Sequence, residues 1–267
     1  MDQTAFLFQQ PSPVYIRSLP LITVLLSSYL GFSETMGKHL QYSKFWNVSS
    51  QSKSKSKSNQ IKLSSQTGML LFYGPAFIAG VASFVFFPHG GLRLLLLKLA
   101  LTIRFLKRIL EVLSIHKFSG GMVLETAILV SGSYFFSTAS LIYVQHLTEE
   151  FPEPSIDLKY LGVLIFLVGI SGNFYHHYLL SKLREKGDKG YKLPKGGLFN
   201  LVVCPHYLFE IVDFWGIFFV SQTLLSLSCA FGVLLYMAGR SYATRKWYLS
   251  KFENFPREVK ALVPFVF

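Results

Sequence analysis

The amino-acid sequence predicts an all-α, polytopic membrane protein with about seven transmembrane helices enclosing a central cavity. Three observations carry that fold class. Hydrophobic residues make up 51% of the 267 positions and charged residues only 15%, against about 25% charge in an ordinary soluble domain. Mean hydropathy is +0.40. The apolar runs are also long, near the roughly 20 residues that a helix needs to cross a bilayer.

Taken in order, spans are expected near residues 13–33, 68–88, 91–115, 121–146, 158–180, 198–220 and 222–243. Pro20 interrupts the first, and Arg93, Lys98 and Arg104 dot the third. One domain over 1–267 accounts for all of them: an N-terminal span and basic Ser/Lys loop (1–67), middle spans (68–157) and a C-terminal region (158–267). Charge placement tests the count. Lys53, Lys55, Lys57 and Lys62 lie between the first two spans, and His116 and Lys117 follow the third. Lys182, Arg184, Lys186, Lys189, Lys192 and Lys195 follow the fifth, and Arg240, Arg245, Lys246 and Lys251 close the last. The link between the fourth and fifth is acidic, with Glu149, Glu150, Glu153 and Asp157. Seven spans put every basic link on one side, which the positive-inside rule makes cytosolic; the N-terminus is then lumenal and the C-terminus cytosolic.

The net charge of +12 follows membrane ends, with no basic face interleaved with base-stacking aromatics, so no nucleic-acid partner is expected. Anionic lipid headgroups or a phosphate-bearing cofactor suit it better. Cys204 and Cys229 are too few for a disulfide framework and lack metal-ligand spacing, so no metal is expected. Asn47-Val48-Ser49 fits a glycosylation acceptor but falls on the cytosolic side. The first apolar segment lacks the basic leader of a cleavable signal peptide.

An ionisable group at a helix centre costs about 2.5–3.5 kcal/mol on insertion scales, so polar residues inside such spans face protein or a cavity. Helical spacing gathers them into stripes. Asn173, His177, Leu180 and Arg184 share one face; His206, Glu210 and Asp213 share a second; Arg240, Thr244 and Tyr248 share a third. Three polar stripes near one membrane face can surround a cavity whose cationic mouth suits phosphates. Bland readings stand beside this: His176, His177 and Tyr178 as snorkelling residues, His206–Glu210 as a pair one turn apart, and Arg240 as a helix-end marker. Arg104, Arg108 and Glu111 share a face of the third span, where Lys107–Glu111 reads as an intrahelical salt bridge. No nucleophilic triad, P-loop or dinucleotide glycine fingerprint is present.

The stretch from Tyr191 through Lys192-Leu193-Pro194-Lys195-Gly196-Gly197-Leu198-Phe199 resembles the steroid 5α-reductase family, in a plant-like member. So do Cys204-Pro205-His206-Tyr207 with Glu210, Trp247-Tyr248-Leu249, Phe252-Glu253, and the apolar ending Lys260 to Phe267. The resemblance is strong over roughly 160–267 and looser before it. It implies a seven-helix reductase of the endoplasmic reticulum membrane, with 158–267 as the cofactor-binding region and NADPH as cofactor. Carried over by position, it implies NADPH contacts at Asn173, Arg184, Tyr191, Lys192, His206, Glu210, Arg240 and Tyr248. His206 stands where the family often has Asn. Gly37-Lys38-His39 matches a short family motif, adding Lys38, and His116-Lys117 fall where the family carries polar groups near the phosphates. His177 replaces an Asp, and Thr244 a His.

The resemblance also exposes departures. Members acting on 3-keto steroids carry a Glu two residues before a Pro in the second span; here Tyr73 precedes Pro75. The partner Tyr on the next span is replaced by Phe105. The expected chemistry is NADPH-dependent reduction of a conjugated C=C bond in a hydrophobic lipid, foremost a 3-oxo-Δ4 steroid. Tyr73 is the expected donor to the carbonyl oxygen, with a plain core aromatic as the bland reading, and Glu210 and Tyr248 are expected to orient nicotinamide. A trans-2-enoyl-CoA or a polyprenal-type lipid is the alternative substrate. The segment 106–119 resembles the enoyl reductase branch, although the ubiquitin-like extension of that branch is absent. A non-catalytic lipid-binding homologue is the reading from another class, motivated by the missing Glu.

Overall fold

The computed structural model describes residues 5–42, 45, 61–118, 120–183 and 192–267. Among them are seven α-helices: α1 (Val14–Thr35), α2 (Ser65–Phe86), α3 (Leu92–Ser114), α4 (Leu124–Leu147), α5 (Lys159–Lys182), α6 (Pro205–Ser221) and α7 (Leu224–Lys251). Five of these (α1, α2, α4, α5 and α7) are long and apolar enough to cross a membrane. The other two fall short for separate reasons. Helix α3 carries Arg93, Lys98, Arg104, Lys107, Arg108 and Glu111, and α6 has only 17 residues. Both bury their polar groups against neighbouring helices, so the chain remains an all-α polytopic membrane protein.

Two boundaries differ from the sequence reading. The sixth helix begins at Pro205 rather than near 198, because the chain before it does something else. A short 3-10 turn, Gly197–Asn200, leads into residues 201–204, whose backbone pairs with the tail: Val203 N donates to Lys260 O (2.8 Å) and Cys204 N to Ala261 O (3.2 Å). Pro205 then opens α6, where its missing N–H leaves nothing unsatisfied. The tail is anchored by Leu262, 1% exposed, among Ile211 and Met237. The last helix starts at the Thr223/Ser226 capping box and runs eight residues past 243, no breaker intervening before Phe252.

A two-stranded antiparallel ribbon, β1 (Lys62–Ser64) with β2 (Gly121–Val123), joins the starts of α2 and α4 at the end where α3 finishes. The helices pack as close pairs, α5 with α6 and α1 with α7, while α2 contacts both α3 and α4. In the first pair a Cβ at Gly169 would overlap the Asp213 backbone, so only glycine admits this approach. Gly37, at φ +80°, ends α1: Lys38 N donates back to Ser33 O (2.9 Å) and Gly37 N to Glu34 O (3.2 Å), the left-handed C-terminal stop that glycine accommodates.

Candidate functional site

The ends of α3, α5, α6 and α7 that meet beside the β1–β2 ribbon enclose a buried polar cluster. Its centre comes from α3. Arg104 lies 4% exposed; it donates to Asp213 and, at 2.7 Å, to Glu210 Oε1, with its guanidinium 4.2 Å from the Phe214 ring centroid. Lys107 donates to Asn173 Oδ1 and lies 3.0 Å from Glu111 Oε1. Asn173 in turn donates through Nδ2 to His206 O (2.7 Å), tying α5 to the start of α6. Arg108 Nη1 lies 2.9 Å from both Glu111 Oε2 and His177 Nδ1, and Nη2 donates to the Tyr73 hydroxyl at 2.5 Å. Charged pairs this buried persist because removing either member strands the other without water.

His116 follows α3 and stacks edge-on to His177, with ring centroids 5.1 Å apart. Burial, helped by the neighbouring Arg108, pushes its pKa down to about 4. The imidazole is therefore neutral at physiological pH and accepts or donates as a dipole. Glu111, His116 and His177 bring their ligand atoms within 4.8 Å of one another, the spacing of a metal site. Arg108 Nη1 bonds two of the three, Glu111 and His177.

His176 is different in kind. Its Nδ1 lies 2.7 Å from Gly172 O and its Nε2 accepts from Leu198 N at 3.1 Å. That fixes a neutral tautomer used to hold the 3-10 turn.

The stripe on α7 reaches the same end of the bundle. Thr244 and Ser241 are fully buried, and their hydroxyls have no hydrogen-bond partner among the described residues; Arg104 Nε is in the same condition. Arg240 is paired at its terminal nitrogens, while its Nε has no hydrogen-bond partner among the described residues. Nη1 donates to Glu34 (2.6 Å), Nη2 to Tyr42 O (3.4 Å), and the guanidinium sits 4.4 and 4.3 Å from the Tyr42 and Phe45 ring centroids. Tyr248 stacks on Phe255 with centroids 5.7 Å apart, in a cluster with Val203 and Cys204.

Comparison with known proteins decides what kind of protein this is. The family model described as 3-oxo-5-alpha-steroid 4-dehydrogenase matches residues 124–267. The chain belongs to that family. It is 34% identical over 139 residues to 3-oxo-5-alpha-steroid 4-dehydrogenase 2 of Macaca fascicularis, covering 51% of this chain and 53% of that protein. Its similarity to the corresponding human protein is 36% over 112 residues, covering 42% and 44%. To steroid 5-alpha-reductase DET2 of Gossypium hirsutum it is 40% identical over 111 residues, covering 40% and 42%. The chain thus spans about half the length of the curated relatives it matches.

The steroid-dehydrogenase match contains ten of the residues singled out from sequence: Asn173, His177, Arg184, Tyr191, Lys192, His206, Glu210, Arg240, Thr244 and Tyr248. Asn173, His177, His206 and Glu210 gather in the cluster; Arg240 and Tyr248 lie at its flanks in their own aromatic surroundings. Lys38, Lys117 and Lys192 are exposed. Arg184 and Tyr191 lie outside the described residues, as do Asn47 and the Lys53–Lys57 tract. The centre of the cluster, Arg104, Lys107, Arg108 and Tyr73, precedes the match. Sequence reading placed three of these on one charged span but gave them only local partners. The signal was there in the cost of so many charges on an apolar helix, which only cross-helix partners offset. Glu34, the buried mate of Arg240, and Tyr134, whose ring stacks 5.9 Å from that of Tyr73, were not singled out at all.

Proposed function

We propose that this protein reduces a conjugated C=C bond in a hydrophobic lipid, with NADPH as the reductant and a 3-oxo-Δ4 steroid as the substrate class. The observation that carries this reading is one buried polar cluster built by family-matched residues of α5 and α6 around the cations of α3. NADPH, when bound, supplies the hydride. The donor set fits it: Asn173, His206 and Glu210 offer the amide-binding acceptors and donors that orient a carboxamide. His116, Lys117, Lys192 and His177 offer neutral and cationic donors for phosphates, joined by Arg184, Tyr191 and Lys38 on resemblance. The unmatched hydroxyls of Ser241 and Thr244 and the Nε of Arg104 support a polar ligand at this end, because buried polar groups are otherwise paired. Arg240 acts here as a support, fixing α7 to the segment after α1, and Tyr248 as a wall of the same end.

Reduction of an enone requires that charge developing on the carbonyl oxygen meet a donor already in place. Tyr73 fills that role in this reading, in the position of the Glu of 3-keto-steroid reductases. The packed aromatic surroundings of Tyr73, Phe105 and Tyr134 support this reading, since an apolar wall would keep water from the reacting bond. The same reading puts the basic links on the cytosolic face of the endoplasmic reticulum membrane, the side from which NADPH arrives.

The test is direct. Protein in microsomes or lipid nanodiscs, given NADPH and progesterone, should form the saturated 3-ketone with matching loss of NADPH absorbance. Consumption of a trans-2-enoyl-CoA in place of progesterone would move the substrate class. Folded protein that oxidises no NADPH with either lipid would remove the enzyme reading.

A further inference from the structure

Helices α2 and α4 leave a groove of about 270 Å³ between them, lined by Leu71, Pro75, Ile128, Ser131, Gly132 and Phe135. Its lips face outward, Ile128 being 62% and Leu71 41% exposed, on two helices long and apolar enough to cross a membrane. Both helices open on polar turns, Ser65-Gln66-Thr67 and Glu125-Thr126. Leu71 lies four residues past the first and Ser131 five past the second, hence roughly 6–8 Å further along the helix at about 1.5 Å per residue. The groove therefore opens into the hydrocarbon of the leaflet beside the β1–β2 ribbon.

Two polar groups at this groove lack the partners that a helix ordinarily supplies. Pro75 has no N–H, so the Leu71 carbonyl has lost the donor four residues on. Ser133 turns its hydroxyl back to Val130 O (2.8 Å), whereas the Ser131 hydroxyl takes no partner among the described residues. Such groups are costly where no water reaches them. They are also complementary, one an acceptor and the other a donor. A charged headgroup is too expensive at this depth. A ketone or ester oxygen would accept from Ser131 and leave the Leu71 carbonyl unserved. A hydroxyl serves both, accepting from Ser131 Oγ and donating to Leu71 O.

The apolar walls say what carries that hydroxyl. Pro75 and Phe135 present rings and Gly132 bare backbone. A Cβ at Gly132 would meet nothing within 4 Å, and the same holds at Gly74 beside Pro75, so the face is smooth and open. A rigid fused-ring body packs there without giving up the rotamer freedom that a flexible acyl chain would lose. We propose that the groove between α2 and α4 is an intramembrane binding site for a flat lipid alcohol of the sterol class, its hydroxyl held between Ser131 and the Leu71 carbonyl. The site goes beyond the reductase reading, because none of these residues has a part in the proposed reduction.

Equilibrium binding of radiolabelled cholesterol and of cholestene, the same skeleton without its hydroxyl, to the full chain in micelles without NADPH tests this. The wild-type protein should prefer cholesterol by about tenfold, the scale of one or two hydrogen bonds. Ser131→Ala should lower that ratio severalfold and leave cholestene binding unchanged. Pro75→Ala, which returns an N–H to the Leu71 carbonyl, should lower the ratio likewise although it removes no polar group. Gly132→Leu fills open space rather than displacing protein, so it should fold with a Tm no lower and lose both ligands. Progesterone, which has no hydroxyl, should compete no better than cholestene. Equal wild-type affinities, a cholesterol preference that survives Ser131→Ala and Pro75→Ala, or full binding by Gly132→Leu would each overturn the site. Stronger competition by progesterone would overturn the alcohol assignment. None of these outcomes depends on turnover, so a protein that reduces nothing can still uphold the site.

Discussion

The two ends of the helical bundle both bury an arginine among acids, yet they use it in opposite ways. At the end where α5 starts, Arg93 donates to Val220 O (2.7 Å), Gln222 Oε1 (3.0 Å), Glu153 and Asp157. Gln222, in the left-handed region at φ 48°, spends its amide fully: Oε1 also accepts from Leu158 N, and Nε2 donates to Phe6 O and Ile156 O. The acids there reach water, Glu153 being 55% exposed. At the other end the acids are sealed, Glu111 at 0% and Asp213 at 2%, and buried polar atoms including Arg104 Nε and the Ser241 and Thr244 hydroxyls have no hydrogen-bond partner among the described residues. The first network is satisfied within the protein; the second leaves donors for the ligand proposed above.

That contrast can be broken by substitution. The largest effect should come from Arg104→Met, which strands Glu210 and Asp213 together. The expected cost is about 3–5 kcal/mol, read as a collapse in melting temperature or failure to recover folded protein. Next comes Gln222→Ala, which removes four hydrogen bonds at the other end. About 1 kcal/mol per bond predicts a clear fall in Tm with NADPH affinity of the folded protein unchanged; a loss of affinity would deny that this end is purely structural. Thr244→Val removes an unmatched hydroxyl at nearly constant volume. It should raise Tm slightly, by the gain of about 1 kcal/mol expected when a buried unpaired donor disappears, and weaken NADPH. If Tm falls instead, the hydroxyl already has a partner.

The smallest effect concerns pH. Burial alone would raise the pKa of Asp157, but hydrogen bonds from Lys159 and the charge of Arg93 outweigh it and hold the carboxyl below its ordinary value. Such a group stabilises the fold above its unfolded pKa and loses that contribution as pH falls through its folded one. Melting temperature should therefore drop below about pH 4, and Asp157→Asn should flatten that part of the profile.

Much of this was legible from the chain itself. Periodicity gave the helices and put Asn173 with His177, and His206 with Glu210 and Asp213, on shared faces that the fold does turn inward. The Lys107–Glu111 pair, one turn apart, also forms as spacing dictates. What spacing cannot give is rotation between helices, and the cluster depends on it. Glu210 pairs with Arg104 across α3 and α6 rather than with His206 on its own helix, and Arg240 finds Glu34 more than two hundred residues away in sequence. The β1–β2 ribbon escaped for another reason: three-residue strands are too short to show alternation. The start of α6 was misread because an apolar run continues through 201–204, where the tail, not a helix, takes the backbone hydrogen bonds.

The contact at Gly169 reaches further than its own pair of helices. Where one backbone rests directly on another there is no side-chain layer to compress or slide, so α5 and α6 behave as a single stiff plank carrying Asn173, Glu210 and Asp213. The α1–α7 pair rests on the same kind of contact, a Cβ at Gly31 or Gly239 meeting the facing backbone, so compliance is left to α2, α3 and α4. A cross-link between α5 and α6 should therefore change little, whereas one across the seam between α2 and α4 should restrict what movement the fold retains.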